Sequence, residues 1–230
     1  MTKFLIKKRG LLLLKTTFAI LFALCVGLFA SCRKEIDYMD YVSELRSNIF
    51  LASEQGLSLR IYAVFKETPY ATDGIPKECS TRVEAYLVAP EGDKTCKISF
   101  SFDGKEYGGE MSFDNVKTEY YFSCTLDISK ASELPCRIEY GDTPLEMNAL
   151  SVCTEDTLTP QNILKNLQTE EAELFASLTD EYGFAGEIYI RLIYEESPYY
   201  YVGIIDRNGQ IHAFLLNATT GKILAKRTSQ

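Results

Sequence analysis

Apolar and polar residues alternate along most of this chain after residue 40, and turn residues cut the alternation into short runs. A period of two puts successive side chains on opposite faces of a strand, so such runs fold as half-buried sheet. Tyr41–Ser53 and Leu57–Thr68 flank the turn-like Glu54-Gln55-Gly56. Arg82–Ala89 stops at Pro90-Glu91-Gly92-Asp93. Thr95–Phe102 closes on Asp103-Gly104, a strong hairpin signal between alternating runs. Glu106–Phe113 follows, weakened by Gly108-Gly109, and then come Glu119–Ile128, Cys136–Tyr140 and Pro144–Val152. Seven to nine short strands at this spacing predict an all-β sandwich of immunoglobulin-like type over residues 41–153. The chain has no Trp, so the strand count carries that expectation without a Cys–Trp–Cys signature.

Residues 154–230 read differently. Thr159-Pro160 is a helix start, with Thr as N-cap and Pro at the first helical position. Ile163, Leu164, Leu167, Leu174, Phe175 and Leu178 then recur at helical spacing, predicting a helix that ends near Asp180. Gly186–Glu195 alternates, Glu196-Ser197-Pro198 breaks it, and Tyr199–Asp206 resumes it. Asn208-Gly209 is a tight hairpin turn into Gln210–Leu216, and Asn217–Gly221 turns into a last strand, Lys222–Lys226. One helix on an antiparallel sheet of three or four strands follows. The predicted fold is therefore α+β overall: a sandwich, then a small one-helix domain.

The last third of the chain resembles the PepSY family. The features that carry the resemblance are the Thr159–Leu167 helix start, the run Tyr200–Gly209, the strand Ile211–Leu216 and the closing Asn217-Ala218-Thr219-Thr220-Gly221-Lys222-Ile223-Leu224. Asn217 stands where the family usually has Asp. The resemblance implies an exported, non-catalytic module associated with peptidases and cell-envelope proteins.

The N-terminus reads as an address. Basic residues fall at Lys3, Lys7, Lys8, Arg9 and Lys15, and Phe18–Phe29 is apolar. A short apolar run after a basic start is a secretory signal, whereas a spanning helix needs ~20 uninterrupted apolar residues. Ala30-Ser31-Cys32 then resembles the lipobox of bacterial lipoproteins, with Phe29 in place of the usual aliphatic residue. The resemblance implies cleavage after residue 31, a diacylglyceryl group on Cys32, and a polar tether over 32–40. Two acyl chains hold a protein on a membrane where one holds it weakly. The expected location is the extracytoplasmic face of a bacterial membrane.

Charge excludes one class of partner. The first 31 residues hold no acid; without them 19 of the 24 basic residues remain against 32 acidic ones, a net of about −13. Such a surface repels phosphate backbones, so nucleic acid is not an expected partner.

Catalytic motifs are sparse. Apart from Cys25 and Cys32, five cysteines remain, with no CxxC spacing and no metal or cofactor expected. Cys96, Cys124 and Cys136 alternate in phase with apolar neighbours and read as small core residues. His212 is the single histidine, so a Ser-His or Cys-His mechanism would require it. Its mid-strand position reads as structural. Glu155-Asp156, Glu170-Glu171 and Glu195-Glu196 read as solvated surface. The tyrosines are the stronger lead. Tyr189, Tyr194, Tyr199, Tyr200 and Tyr201 concentrate phenols on one small sheet, and exposed tyrosine contacts carbohydrate or protein well. These five are the candidate interaction surface. The expected function is a membrane-anchored, non-enzymatic binding or regulatory module acting on a peptidase or other envelope protein. The alternatives are an envelope hydrolase using carboxylates or a Cys with His212, and a structural spacer.

Overall fold

A computed structural model describes residues 36–71, 73–92 and 94–229. The signal-like segment and Cys32 lie outside the described residues. Strands β1 (Val42–Glu54), β2 (Leu57–Glu67) and β3 (Cys79–Val88) come first. They are followed by β4 (Cys96–Phe102), β5 (Lys105–Glu110), β6 (Ser112–Asp114), β7 (Glu119–Cys124), β8 (Glu133–Tyr140) and β9 (Thr143–Ser151). Two short helices, α1 (Pro160–Glu170) and α2 (Ala172–Ser177), lead to the paired β10 (Thr179–Asp180) and β11 (Gly183–Phe184). Four strands end the chain: β12 (Gly186–Tyr194), β13 (Pro198–Asp206), β14 (Ile211–Asn217) and β15 (Ile223–Ser229).

Among the described residues thirteen strands belong to one sheet. Its main path runs β15-β14-β13-β12-β1-β2-β3-β7-β6, and β9, β8, β4 and β5 branch from β1 in that order. This corrects the expected fold. The described residues are 57% strand and 11% helical, with a large, nearly closed sheet, not an immunoglobulin-like sandwich joined to a helix-bearing domain. The physical reason lies in β1. It is thirteen residues long and changes partner partway. Its first part pairs parallel with β12, Leu45 opposite Ile190 and Arg46 opposite Arg191. Its second part pairs antiparallel with β9 at Phe50 and Leu51. Alternation marks β1 as a strand but is blind to which strand, 140 residues on, lies beside it.

Local expectations fared better where the chemistry is local. Thr159 caps α1, its side chain accepting a hydrogen bond from the Asn162 amide, with Pro160 next. The long helix expected to reach Asp180 breaks at Glu171, whose φ and ψ of −113° and 36° leave the helical region. Asp206 Oδ1 accepts from the Asn208 and Gln210 amides and builds the turn at Asn208-Gly209. The run Glu106–Phe113 divides into β5 and β6 because Met111 turns inward, its amide bonded to the Cys96 carbonyl.

Two apolar layers hold the sheet. Leu59, Ile61, Val83, Ala85, Leu87, Ile98, Leu134 and Ile138 are buried in the concavity of the first nine strands. Each fully buried aliphatic side chain contributes roughly 1.5–3 kcal/mol. On β12–β14, the even-numbered Ile188, Ile190, Leu192, Tyr200, Val202, Ile204, Phe214 and Leu216 are buried on the side that α1 covers with Ile163, Leu164 and Leu167. Residues 37–40, expected at the end of the tether, belong to the same compact unit. Tyr38 packs edge-on against Phe175 and Phe184, with ring centroids 4.8 and 5.2 Å away. Among the described residues no helix is long and apolar enough to cross a membrane.

Candidate functional site

Strand alternation separates the five candidate tyrosines. Tyr200 points to the α1 side, is buried, and donates its hydroxyl to the Leu158 carbonyl at 3.0 Å. Tyr194 has the same parity and is exposed at the end of β12. Tyr189, Tyr199 and Tyr201 share the opposite face. Tyr189 lies over Gly203, where any Cβ would overlap its ring. That close approach is what glycine permits in mid-strand. Tyr189 and Tyr201 sit with ring centroids 5.8 Å apart.

The parallel seam extends this face onto the rest of the sheet. Arg191 stacks on Tyr189 at 4.8 Å and pairs with the carboxylate of Glu44 on β1. Arg46, registered opposite Arg191, lies over the ring of Tyr62 on β2 at 4.1 Å. Tyr62 meets Tyr86 on β3 at 5.6 Å, and Tyr86 meets Tyr121 on β7 at 5.1 Å. The result is a stripe of tyrosine and arginine that crosses six neighbouring strands. At about 4.8 Å per strand it is roughly 24 Å long. Tyr201, Arg191, Arg46, Tyr62, Tyr86 and Tyr121 are all half-buried, packed flank to flank with one side toward solvent.

Ion pairs line the stripe. Lys66 bonds Glu84 at 2.5 Å and Arg60 bonds Glu119 at 2.9 Å. Arg46 differs. Among the described residues it forms no ion pair, and its Nε is buried without an acceptor, as is the Nε of Arg191. Burial and the adjacent Glu84 hold the Tyr86 phenol well above its ordinary range. Burial and Tyr201 do the same for Tyr189. These hydroxyls stay protonated, and that of Tyr86 donates to Glu84 at 3.1 Å.

One loop closes over the Tyr189 end. Tyr70 brings its hydroxyl within 3.5 Å of Arg191, and Gly74 donates its amide to Glu187 at 2.8 Å. Gly74 has φ +77° and abuts the Asp206 backbone, so a side chain does not fit there. Glu187 is fully buried and also accepts from the Ser43 hydroxyl. Nearby Glu67 is 1% exposed, accepts from the Lys77 amide at 3.3 Å, and leaves Oε2 without a hydrogen bond. Burial raises its pKa above the ordinary carboxylate value. The opposite side of the sheet holds a groove of about 420 Å³ between Leu45, Phe65, Ile128, Leu158 and Pro160.

The remaining sequence candidates are dispersed. His212 has Nδ1 3.3 Å from the Thr228 hydroxyl, across β14 and β15. Cys79, Cys96, Cys124, Cys136 and Cys153 are free thiols, and burial raises the pKa of each, that of Cys136 to about 12. Glu155, Asp156, Glu170, Glu195 and Glu196 are exposed. Among the described residues no group of three His, Cys, Asp or Glu is placed to hold a metal ion. The sequence reading missed Arg46, Tyr62, Tyr86 and Tyr121. Their alternation with core residues was a legible signal for one outward face, but their alignment with Tyr189 and Tyr201 depends on the long-range seam.

The chain matches no family model, no curated protein and no solved structure.

Proposed function

We propose that this protein is an extracytoplasmic binding module held on a bacterial membrane by a lipid on Cys32, and that the tyrosine–arginine stripe is its contact surface. The observation that carries the reading is the stripe itself. Tyrosine and arginine are the side chains that concentrate binding energy at contact surfaces, because each combines a large rigid face with a polar end. Here they form one continuous row, already ordered by mutual packing, so little side-chain entropy is lost on contact. The basic, apolar and small-residue order before Cys32 supports the anchor.

The dispersal of His212 and the free thiols gives the Cys–His form of the hydrolase reading no assembled site to argue from. The test is capture from a bacterial envelope extract by the immobilised protein and by an Arg46→Gln, Tyr86→Ala variant. Retention of an envelope component by the native protein and its loss in the variant is the expected result. Equal retention by both removes the stripe from the account. A palmitate-analogue label that persists in Cys32→Ser removes the anchor.

A further inference from the structure

The stripe also carries information about its ligand. Arg46 and Arg191 face each other across a parallel strand pair, and like charges directly opposite destabilise a sheet. Glu44 neutralises one of them. The other, Arg46, donates no hydrogen bond among the described residues; it lies over the Tyr62 ring, with Tyr86 also near it. A half-buried guanidinium with five donors and no acceptor is an unmet demand for an oxyanion. It lies mid-stripe, with the half-buried Tyr201 on one side, beyond the buried Tyr189, and Tyr62, Tyr86 and Tyr121 on the other.

Partly exposed tyrosines, Tyr201 on one side and Tyr86 and Tyr121 on the other, flank one unpaired cation, which fits a linear polymer of rings in which a charged unit is flanked by neutral ones. Resting on the binding reading above, we propose that the stripe binds an acidic heteropolysaccharide. The carboxylate of one acidic sugar pairs with Arg46, and the C–H faces of its neutral neighbours stack on the tyrosines. Along the stripe the partly exposed Arg60 and Lys66 supply donors for sugar hydroxyls, while their partners Glu119 and Glu84 are buried. The core of a protein–protein interface is depleted of Lys and Glu, whereas Lys66 and Glu84 lie along this stripe. Single-stranded nucleic acid also stacks on aromatic rows, but it carries a phosphate at every unit. Residues 32–230, of net charge about −13, repel such a polymer more strongly than one with spaced charges.

The test is calorimetric titration of the full chain with gellan and hyaluronan, whose uronates are spaced by uncharged sugars. A neutral β-glucan and an oligothymidylate serve as comparisons. Binding of a spaced-uronate polymer is expected, weakening with added salt and falling at least about tenfold in Arg46→Gln and in Tyr86→Ala, with Tyr86→Phe retaining most of it. Thermal melting confirms that each variant is folded, and Arg46→Gln keeps the test valid if Tyr86→Ala is not. The proposal is overturned if neither uronate polymer binds, if both variants bind as the native chain does, or if the β-glucan or the oligothymidylate binds equally well. Stripe-dependent capture of an envelope protein without any polysaccharide binding overturns this inference while leaving the binding reading intact.

Discussion

Arg46 and Arg191 stand opposite one another where β1 and β12 run parallel, and each carries a buried Nε with no acceptor. One residue comes from the start of the chain and the other from its last fifth. Their meeting joins two tyrosine rows into one, and the consequences of that joining can be measured.

Glu187 ties three segments together: β12, the Ser43 hydroxyl of β1, and the loop amide of Gly74. Glu187→Ala leaves two buried donors unsatisfied and should cost about 2–4 kcal/mol of stability. Hydrogen exchange should rise across residues 69–78 while the core strands stay protected. Unchanged exchange in that loop contradicts the tie.

Glu67 should give an unusual pH response. Its folded-state pKa lies above the ordinary carboxylate value, chiefly through burial, with Glu187 and Asp73 adding to the rise and the Lys77 amide and ammonium opposing it. The stability it contributes is present below the ordinary value and is lost as pH rises through the raised one. Glu67→Gln keeps the acceptor for the Lys77 amide and removes the charge. Urea midpoints should therefore be higher for the variant at neutral pH, with the difference closing toward pH 4. A variant less stable than the native chain at neutral pH contradicts this.

Gly203→Ala should destabilise by about 1–3 kcal/mol, because the new methyl overlaps the Tyr189 ring. The displaced ring loosens its contact with Tyr201, so the variant should also bind any stripe ligand more weakly. Val116, 93% exposed, is the control; Val116→Ala should stay within about 0.5 kcal/mol.

The thiols should be unreactive in the folded state. Burial raises Cys96 to about 11 and Cys136 to about 12, so thiolate is scarce at pH 8. A disulfide reagent should modify Cys96 and Cys136 only after urea is added. Rapid modification of either in the native chain contradicts their burial.

What the sequence made legible was local. Thr159-Pro160 starts a helix because the cap and the proline act on adjacent backbone, and Asp206 folds its own turn. Cys96 and Cys136 alternate with Ile98 and Ile138, and all four are buried. The tyrosine surface is half legible: alternation puts the tyrosines on both faces of the small sheet and separates Tyr200 from Tyr201, but it does not say which face α1 covers. The architecture was not legible, because a strand's own residues do not name its partner. Leu45 and Ile190 are apolar and would suit any buried pairing. Only the assembled sheet aligns them, and with them Arg46 and Arg191.

A crosslink between β1 and β12 reports on that seam. Registered residues on neighbouring strands lie within disulfide reach, for which Cα atoms must be about 4.4–6.8 Å apart. An Arg46→Cys, Arg191→Cys chain, oxidised mildly and mapped by peptide mass spectrometry, should show a 46–191 crosslink as its dominant new product. An Arg46→Cys, Arg207→Cys chain, with position 207 in the exposed turn after β13, should not crosslink. Absence of the 46–191 link under conditions that oxidise an exposed thiol would contradict the single sheet, and the continuous stripe with it.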